Sequence, residues 1–321
     1  MHTCDPPKEA LEEWLTEYPS VEGRYGHLLL EQATENSQEL IDALRPYFES
    51  AHLDARAYFH DAIGIELHPD ATGPGYNAQY PSCLPKKAIR GIFGELMAGL
   101  VTESYKFVGE HEWRIPVFLF RYHADIEPYL FQLARDPERD REIFGRFGDD
   151  FLGIVIREDG SLARVILGEA KWRTTLTQSA VETLLHGEWV QDDQGNRVRS
   201  GKGIWYEINR TQDETYGLRQ LQKILREYDC EEYSGVVTSI GRLLIVGGDE
   251  PSVPRTDLIL LVGNDPARRE KETPAIDWEN MPAEYTAGND LQVVEIYLND
   301  GAALIDELYG SLWLEESPDA D

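Results

Sequence analysis

Lysine is scarce in this chain: 8 of its 30 basic residues are lysine, against 59 acidic residues, and the formal net charge is -29 over 321 residues. Such a surface excludes a protein that holds nucleic acid through a uniformly basic exterior, because that affinity comes mainly from lysine and arginine neutralising phosphates. Cysteine is scarce as well. Cys4, Cys83 and Cys230 are odd in number and have no metal-ligand spacing, which excludes a disulfide framework and a zinc knuckle. They are expected as reduced thiols of a cytoplasmic protein. Long apolar runs are absent, so no membrane partner is expected, and residues 1–7 lack a signal-peptide pattern. No Gly-x-Ser-x-Gly elbow occurs, and His111-Glu112 lacks the second histidine of a zinc helix. The stretch 195–203 departs from a phosphate loop: five residues separate Gly195 from Gly201, and Gly203 stands where a Ser or Thr is needed. His52, His60 and His68 recur at a spacing that rotates off one helix face and are expected at the surface.

What the chain does contain is a concentrated acid-base pattern. Hydrophobic residues make up 41%, enough for a sizeable core. The apolar stretch Val165-Ile166-Leu167 runs into Gly168-Glu169-Ala170-Lys171-Trp172. On a strand, residues two apart point to the same face, so Glu169 and Lys171 would share one site. About twenty residues upstream, Gly148-Asp149-Asp150 leads into Phe151-Leu152-Gly153-Ile154-Val155-Ile156, a short buried strand by composition. Asp159-Gly160 between the two runs is a turn signal. A hairpin of these strands places Asp149 or Asp150 beside Glu169 and Lys171. A carboxylate pair with an ammonium is the minimum set for a divalent ion acting on a phosphate. Alone, a Glu-x-Lys pair is far more often an ordinary solvated pair on an exposed strand.

A third acid lies upstream. Residues 84–105 carry Ile89, Ile92, Phe93, Leu96, Met97, Leu100 and Val101 at helical spacing, with Pro85 suited to the first turn. Glu95 falls within this apolar segment. A buried carboxylate needs a partner, and a metal ion or Lys171 would serve. The alternative is a solvent-facing position at the edge of the stripe.

Helix glutamate, aspartate, then Glu-x-Lys on neighbouring strands resembles the PD-(D/E)XK nuclease superfamily, over about residues 85–190. The family's aspartate is often preceded by proline; here Gly148-Asp149 stands instead, which leaves open which aspartate acts. More loosely, Trp113-Arg114-Ile115-Pro116-Val117, Arg121-Tyr122-His123-Ala124-Asp125 and the Gly-Glu-Ala-Lys block resemble the HamA-type nuclease subunit of Hachiman antiphage systems. The resemblance implies a restriction-endonuclease-like core and a Mg²⁺- or Mn²⁺-dependent endonuclease that cleaves DNA in antiviral defence beside a helicase-like ATPase partner. It implies catalytic roles for Glu95, Asp150, Glu169 and Lys171, with Asp150, Glu169 and Glu95 at the metal. The alternative is a non-catalytic acidic interaction protein or DNA mimic.

The acidic balance then demands a source of positive charge. Lys86, Lys87 and Arg90 on the Glu95 helix, or Arg197, Arg199 and Lys202, could supply it locally. A basic partner or a salt-adapted source is the favoured account.

The pattern along the chain predicts an α/β (mixed α+β) fold. Residues 1–80 read as a helical N-terminal region, 81–315 as the nuclease domain and 316–321 as an acidic, disordered tail. Within these, 9–18, 26–48 and 53–63 read as helices, and 113–122 as a strand. Residues 126–134 read as a short helix and 135–146 as an exposed charged stretch. Further on, 177–185 and 217–228 read as helices, 189–203 as a polar loop, 234–246, 257–262 and 291–298 as strands, and 302–314 as a closing helix.

Overall fold

The computed structural model describes residues 1–21, 23–63, 80–105, 111–122, 151–210, 214–245 and 253–313. Along the chain the elements are α1 (Lys8–Trp14), β1 (Leu15–Val21), β2 (Tyr25–Gln32), α2 (Gln38–Ile63), α3 (Lys86–Ser104), β3 (Phe151–Ile156) and β4 (Leu162–Thr175). They continue with α4 (Gln178–His186), β5 (Trp189–Gln191), β6 (Arg197–Arg199), α5 (Ile204–Ile208), α6 (Glu214–Tyr228) and α7 (Ser234–Ile245). β7 (Arg255–Asn264), β8 (Asp290–Leu298) and α8 (Gly301–Ser311) complete them.

Among the described residues six strands form one sheet in the order β1-β2-β8-β7-β4-β3. The four inner strands β2, β8, β7 and β4 run parallel, and β1 and β3 close the edges antiparallel. Parallel strands are buried on both faces and read as continuous apolar runs, which is the pattern of Leu258-Ile259-Leu260-Leu261-Val262. Alternate residues feed two helical layers. Ile166, Ala170, Trp172, Leu258, Leu260 and Val294 pack with α1, α2, α3 and α8. On the other face, Ile259, Leu261 and Val293 pack with α4 and α5, and Leu152, Val165 and Leu167 pack with α6 and α7. The mixed α/β class expected from the sequence is what the chain adopts.

Several local expectations give way to the structure. Residues 15–21 and 25–32 are strands, not helix, and β2 pairs in parallel with β8. Residues before and after position 80 therefore share one sheet. The cause is burial on both faces of β2, since a short apolar run with no polar side has no period to separate strand from helix. Residues 234–245 are helix, not strand. Their β-branched content suggested a strand, but Val236 and Ile240, four apart, are the fully buried pair. The stretch 113–122 makes a single bridge, Arg114 with Ile154, and a short 3₁₀ turn over Phe120–Tyr122. Pro116 cannot donate to a ladder, and the Ile115 amide donates instead to Glu103. Residues 189–191 and 197–199 form a two-stranded ribbon rather than loop.

His52 is buried rather than at the surface: its ring nitrogens lie 3.2 Å from both Tyr80 Oη and Tyr309 Oη. His68, residues 126–146 and the tail 316–321 lie outside the described residues. Cys4, Cys83 and Cys230 form no disulfide. No described helix is long and apolar enough to cross a membrane.

Candidate active site

β4 is the longest strand among the described residues, and its two halves have different neighbours. Its first half pairs with β3, from Ile156↔Leu162 to Phe151↔Gly168. Arg157 accepts from Gly160 N at 2.9 Å in the connecting turn, and Gly160 supplies the positive φ that turn requires. The Asp159-Gly160 hairpin is thus formed as expected. Beyond Gly168 only β7 flanks β4 among the described residues, through pairs such as Glu169↔Ile259 and Lys171↔Leu261. The Glu-x-Lys pair begins where the β3 ladder stops.

Glu169 and Lys171 meet directly. Lys171 Nζ lies 2.7 Å from Glu169 Oε2, with the Glu169 side chain 8% exposed and that of Lys171 34% exposed. Ala170 and Trp172 sit in the cluster with α3; alternation therefore turns Glu169 and Lys171 to the opposite face. There they fall between the Val165–Leu167 patch under α6 and α7 and the Ile259–Leu261 patch under α4 and α5. A largely buried carboxylate between two apolar patches, held by a lysine that reaches solvent, is not the solvated pair of an exposed strand.

Glu95 is buried in α3. Its neighbour Gly94 brings α3 close to β4, since a Cβ there would lie 3.5 Å from the Trp172 amide nitrogen. Glu95's charge adds to burial in raising the phenols of Tyr80 and Tyr309. Its place is thus the α3 layer, beside the segment of β4 that carries the pair, and it does not face solvent. Asp149 and Asp150 lie outside the described residues; Phe151, which follows them, pairs with Gly168. Of the four expected residues, the structure brings Glu169 and Lys171 into contact and seats Glu95 on α3, the helix that packs on the opposite face of β4. Among the described residues no three His, Cys, Asp or Glu side chains gather to hold a metal ion. Glu169 is one carboxylate donor suited to a hard cation, and a complete set needs an acid from outside those residues.

One group on this face escaped the sequence reading. Val165↔Arg255 and Leu167↔Asp257 are pairs of β4 with β7, so Arg255 and Asp257 share the face of Glu169 and Lys171, one step along the sheet. Asp257 accepts from Arg255 Nε, from Tyr285 Oη and, at 3.2 Å, from Asn289 Nδ2. Burial raises its carboxyl above the usual range, against the pull of Arg255 and these donors. The signal was present: Arg255-Thr256-Asp257 is a charged i, i+2 pair at the mouth of an apolar run, as Glu169-Ala170-Lys171 is at the end of one.

The basic residues considered as local sources of charge divide. Lys86 is engaged by Asp306 at 2.6 Å, whereas Arg197 and Arg199 stand in the β5–β6 ribbon. Gln178 donates to the Ala275 carbonyl at 3.1 Å, a tie between α4 and the 265–289 connection; Thr177 is the cap of that helix.

In comparisons with known proteins, no family model matches the chain, and no curated protein matches it in sequence.

Proposed function

We propose that the protein is a metal-dependent nuclease of the PD-(D/E)XK kind that cleaves DNA phosphodiester bonds. The observation that carries this reading is the Glu169–Lys171 pair: a buried carboxylate 2.7 Å from a solvent-reaching ammonium, on the half of a strand where the β3 ladder ends. Glu169 would hold a Mg²⁺ or Mn²⁺ ion together with Asp150, or Asp149 in its place. A divalent cation so bound supplies Lewis-acid polarisation of the phosphoryl group. Lys171 would stabilise the charge that develops on a phosphoryl oxygen, or help take the proton from the attacking water. Glu95 would ligate, or orient water, from α3 past the edge of β4. Arg255 and Asp257, beside the pair, would hold the floor of the site in place rather than touch the substrate.

The net charge of -29 supports a DNA supply through a partner, in this reading a helicase-like ATPase of an antiviral system. The same charge favours the second reading, an acidic interaction protein or DNA mimic without catalysis. Cleavage assays on supercoiled and linear DNA with Mg²⁺ and Mn²⁺, with wild type and the Glu169→Ala variant, separate the two. Metal-dependent nicking that Glu169→Ala abolishes supports the nuclease. No cleavage with either metal, with or without a co-purifying partner, supports the mimic.

A further inference from the structure

The β5–β6 ribbon projects from the end of α4, on the layer that covers the Glu169–Lys171 face of the sheet. Among the described residues it pairs with no other strand. Its register, Trp189↔Arg199 and Gln191↔Arg197, puts Trp189, Arg197 and Arg199 on one side and Val190 and Val198 on the other. The Arg197 and Arg199 guanidinium carbons lie 4.9 and 4.3 Å from the Trp189 ring centroid. Trp189 is nevertheless 47% exposed, and Val190 and Val198 are exposed too. A lone two-stranded hairpin is marginal in water, so its ends must hold it. At the tip, Asp192 accepts from the Gln194 and Asn196 amides at 2.9 and 2.8 Å. At the base, Arg199 donates to Thr183 Oγ1 and to the Gly187 carbonyl at 3.0 and 3.1 Å. The ribbon is a built arm with apolar and cationic surface turned to solvent.

Charge indicates what it meets. In a chain of net -29, residues 187–203 are formally neutral: Arg197, Arg199 and Lys202 balance Glu188, Asp192 and Asp193. Asp192 is occupied in the turn, and among the described residues Arg197 and Lys202 form no ion pair. Just beyond, the Arg210 guanidinium lies 5.2 Å from the ring centroid of the half-exposed Tyr206. Cations held over aromatic rings, with Arg197 and Lys202 clear of any carboxylate among the described residues, suit a phosphate polyanion. A two-stranded ribbon has the width that a DNA major groove admits.

We infer that the β5–β6 ribbon is a DNA-contacting arm that seats in a groove of duplex DNA, with Arg197 and Lys202 on the phosphates and Trp189 against the groove wall. The inference rests on the nuclease reading for its choice of DNA, yet its test does not need cleavage. Binding of a fluorescein-labelled duplex about two helical turns long is followed by anisotropy in EDTA, from about 50 to 200 mM salt. A single strand of the same sequence is the comparison. The Arg197→Ala/Lys202→Ala variant should bind the duplex about tenfold more weakly than wild type at the lowest salt, with the slope of log affinity on log salt reduced by about two. Its thermal unfolding should match wild type, because both side chains are at the surface. Variant and wild-type affinities that coincide would overturn the arm, as would wild type that binds no duplex at the lowest salt or prefers the single strand. If the nuclease reading alone fails, cleavage is absent with every metal while the binding difference persists. If the arm alone fails, cleavage remains and the binding difference vanishes.

Discussion

Lys171 Nζ sits 2.7 Å from Glu169 Oε2 on the half of β4 that lies beyond the Phe151–Ile156 ladder. The two carry opposite demands. Glu169 is largely buried and needs its partner, whereas a third of the Lys171 side chain is exposed and can turn to a substrate. Glu169→Ala or Lys171→Ala should each lower Mg²⁺- or Mn²⁺-dependent cleavage by at least about a hundredfold, the cost of removing a charge that acts on the transition state. Circular dichroism should show both variants folded, with Lys171→Ala the less stable because it leaves a buried carboxylate without its cation. Wild-type cleavage by either variant, in a preparation free of contaminating nuclease, refutes the site.

Asp149 and Asp150 should differ in severity. Phe151 pairs with Gly168, so the preceding residue is the one that would come level with Glu169 if the ladder continued. Adjacent strand residues face opposite sides. Asp150→Asn is expected to abolish cleavage and Asp149→Asn to leave most of it. The reverse order in the same assay moves the metal ligand to Asp149.

Glu169 and Lys171 were legible in the sequence because same-face spacing at the end of an apolar run is a local property of one strand. The core strands were legible instead as largely apolar runs, in Leu258-Ile259-Leu260-Leu261-Val262 and in Leu291–Leu298. Residues 25–32 were not: they are a strand because they pair with β8, more than 250 residues away, between layers that cover both faces, and no local period records that. Residues 234–245 were misread because β-branched content outweighed the four-residue spacing of Val236 and Ile240. Asp257 was overlooked because its meaning depends on Tyr285 and Asn289, which only the fold brings to it.

Glu295 should prove structural in a way that Glu169 is not. It lies fully buried on β8, with His27 Nε2 at 3.0 Å, and accepts from the Ala275 and Ile276 amides and from Tyr297 Oη. One carboxylate thus ties the 265–289 connection to the sheet. Glu295→Ala leaves several buried donors unmatched and should cost about 3–5 kcal/mol in chemical denaturation, the range for breaking a buried pair on one side. Amide exchange at Ala275 and Ile276 should quicken in the variant. Unchanged exchange at both amides would refute the anchoring role.

Alkaline pH should unfold the protein through its tyrosines. Burial, the largest cause in each case, pushes the phenols of Tyr105, Tyr228 and Tyr233 up to about 12 from an ordinary 10.0. A group whose folded value is raised contributes stability that is complete below its unfolded value and is lost as pH rises through the folded one. Between pH 10 and about 12 the folded state therefore binds more protons than the unfolded state, and each step up in pH favours unfolding. Absorbance at the tyrosinate band, followed beside circular dichroism, should show these phenols ionising together with loss of structure. Smooth ionisation near pH 10 with the fold intact would mean that these three phenols are not raised.

Salt and a partner should together govern DNA binding. At a net charge of -29 every phosphate contact is made against a repulsive mean field. The isolated chain should then bind duplex DNA weakly at physiological salt and measurably only at low salt, where the few cations of the β5–β6 ribbon count most. A co-purifying partner that supplies positive charge or opened DNA should raise both binding and cleavage at physiological salt. In the non-catalytic alternative the same partner would be held, but no metal would bring out cleavage. Titration of labelled duplex with the isolated chain and with the complex, each followed by a cleavage assay, decides between them. Submicromolar binding by the isolated chain at physiological salt would refute delivery by a partner and locate the affinity in a concentrated basic surface of the chain itself.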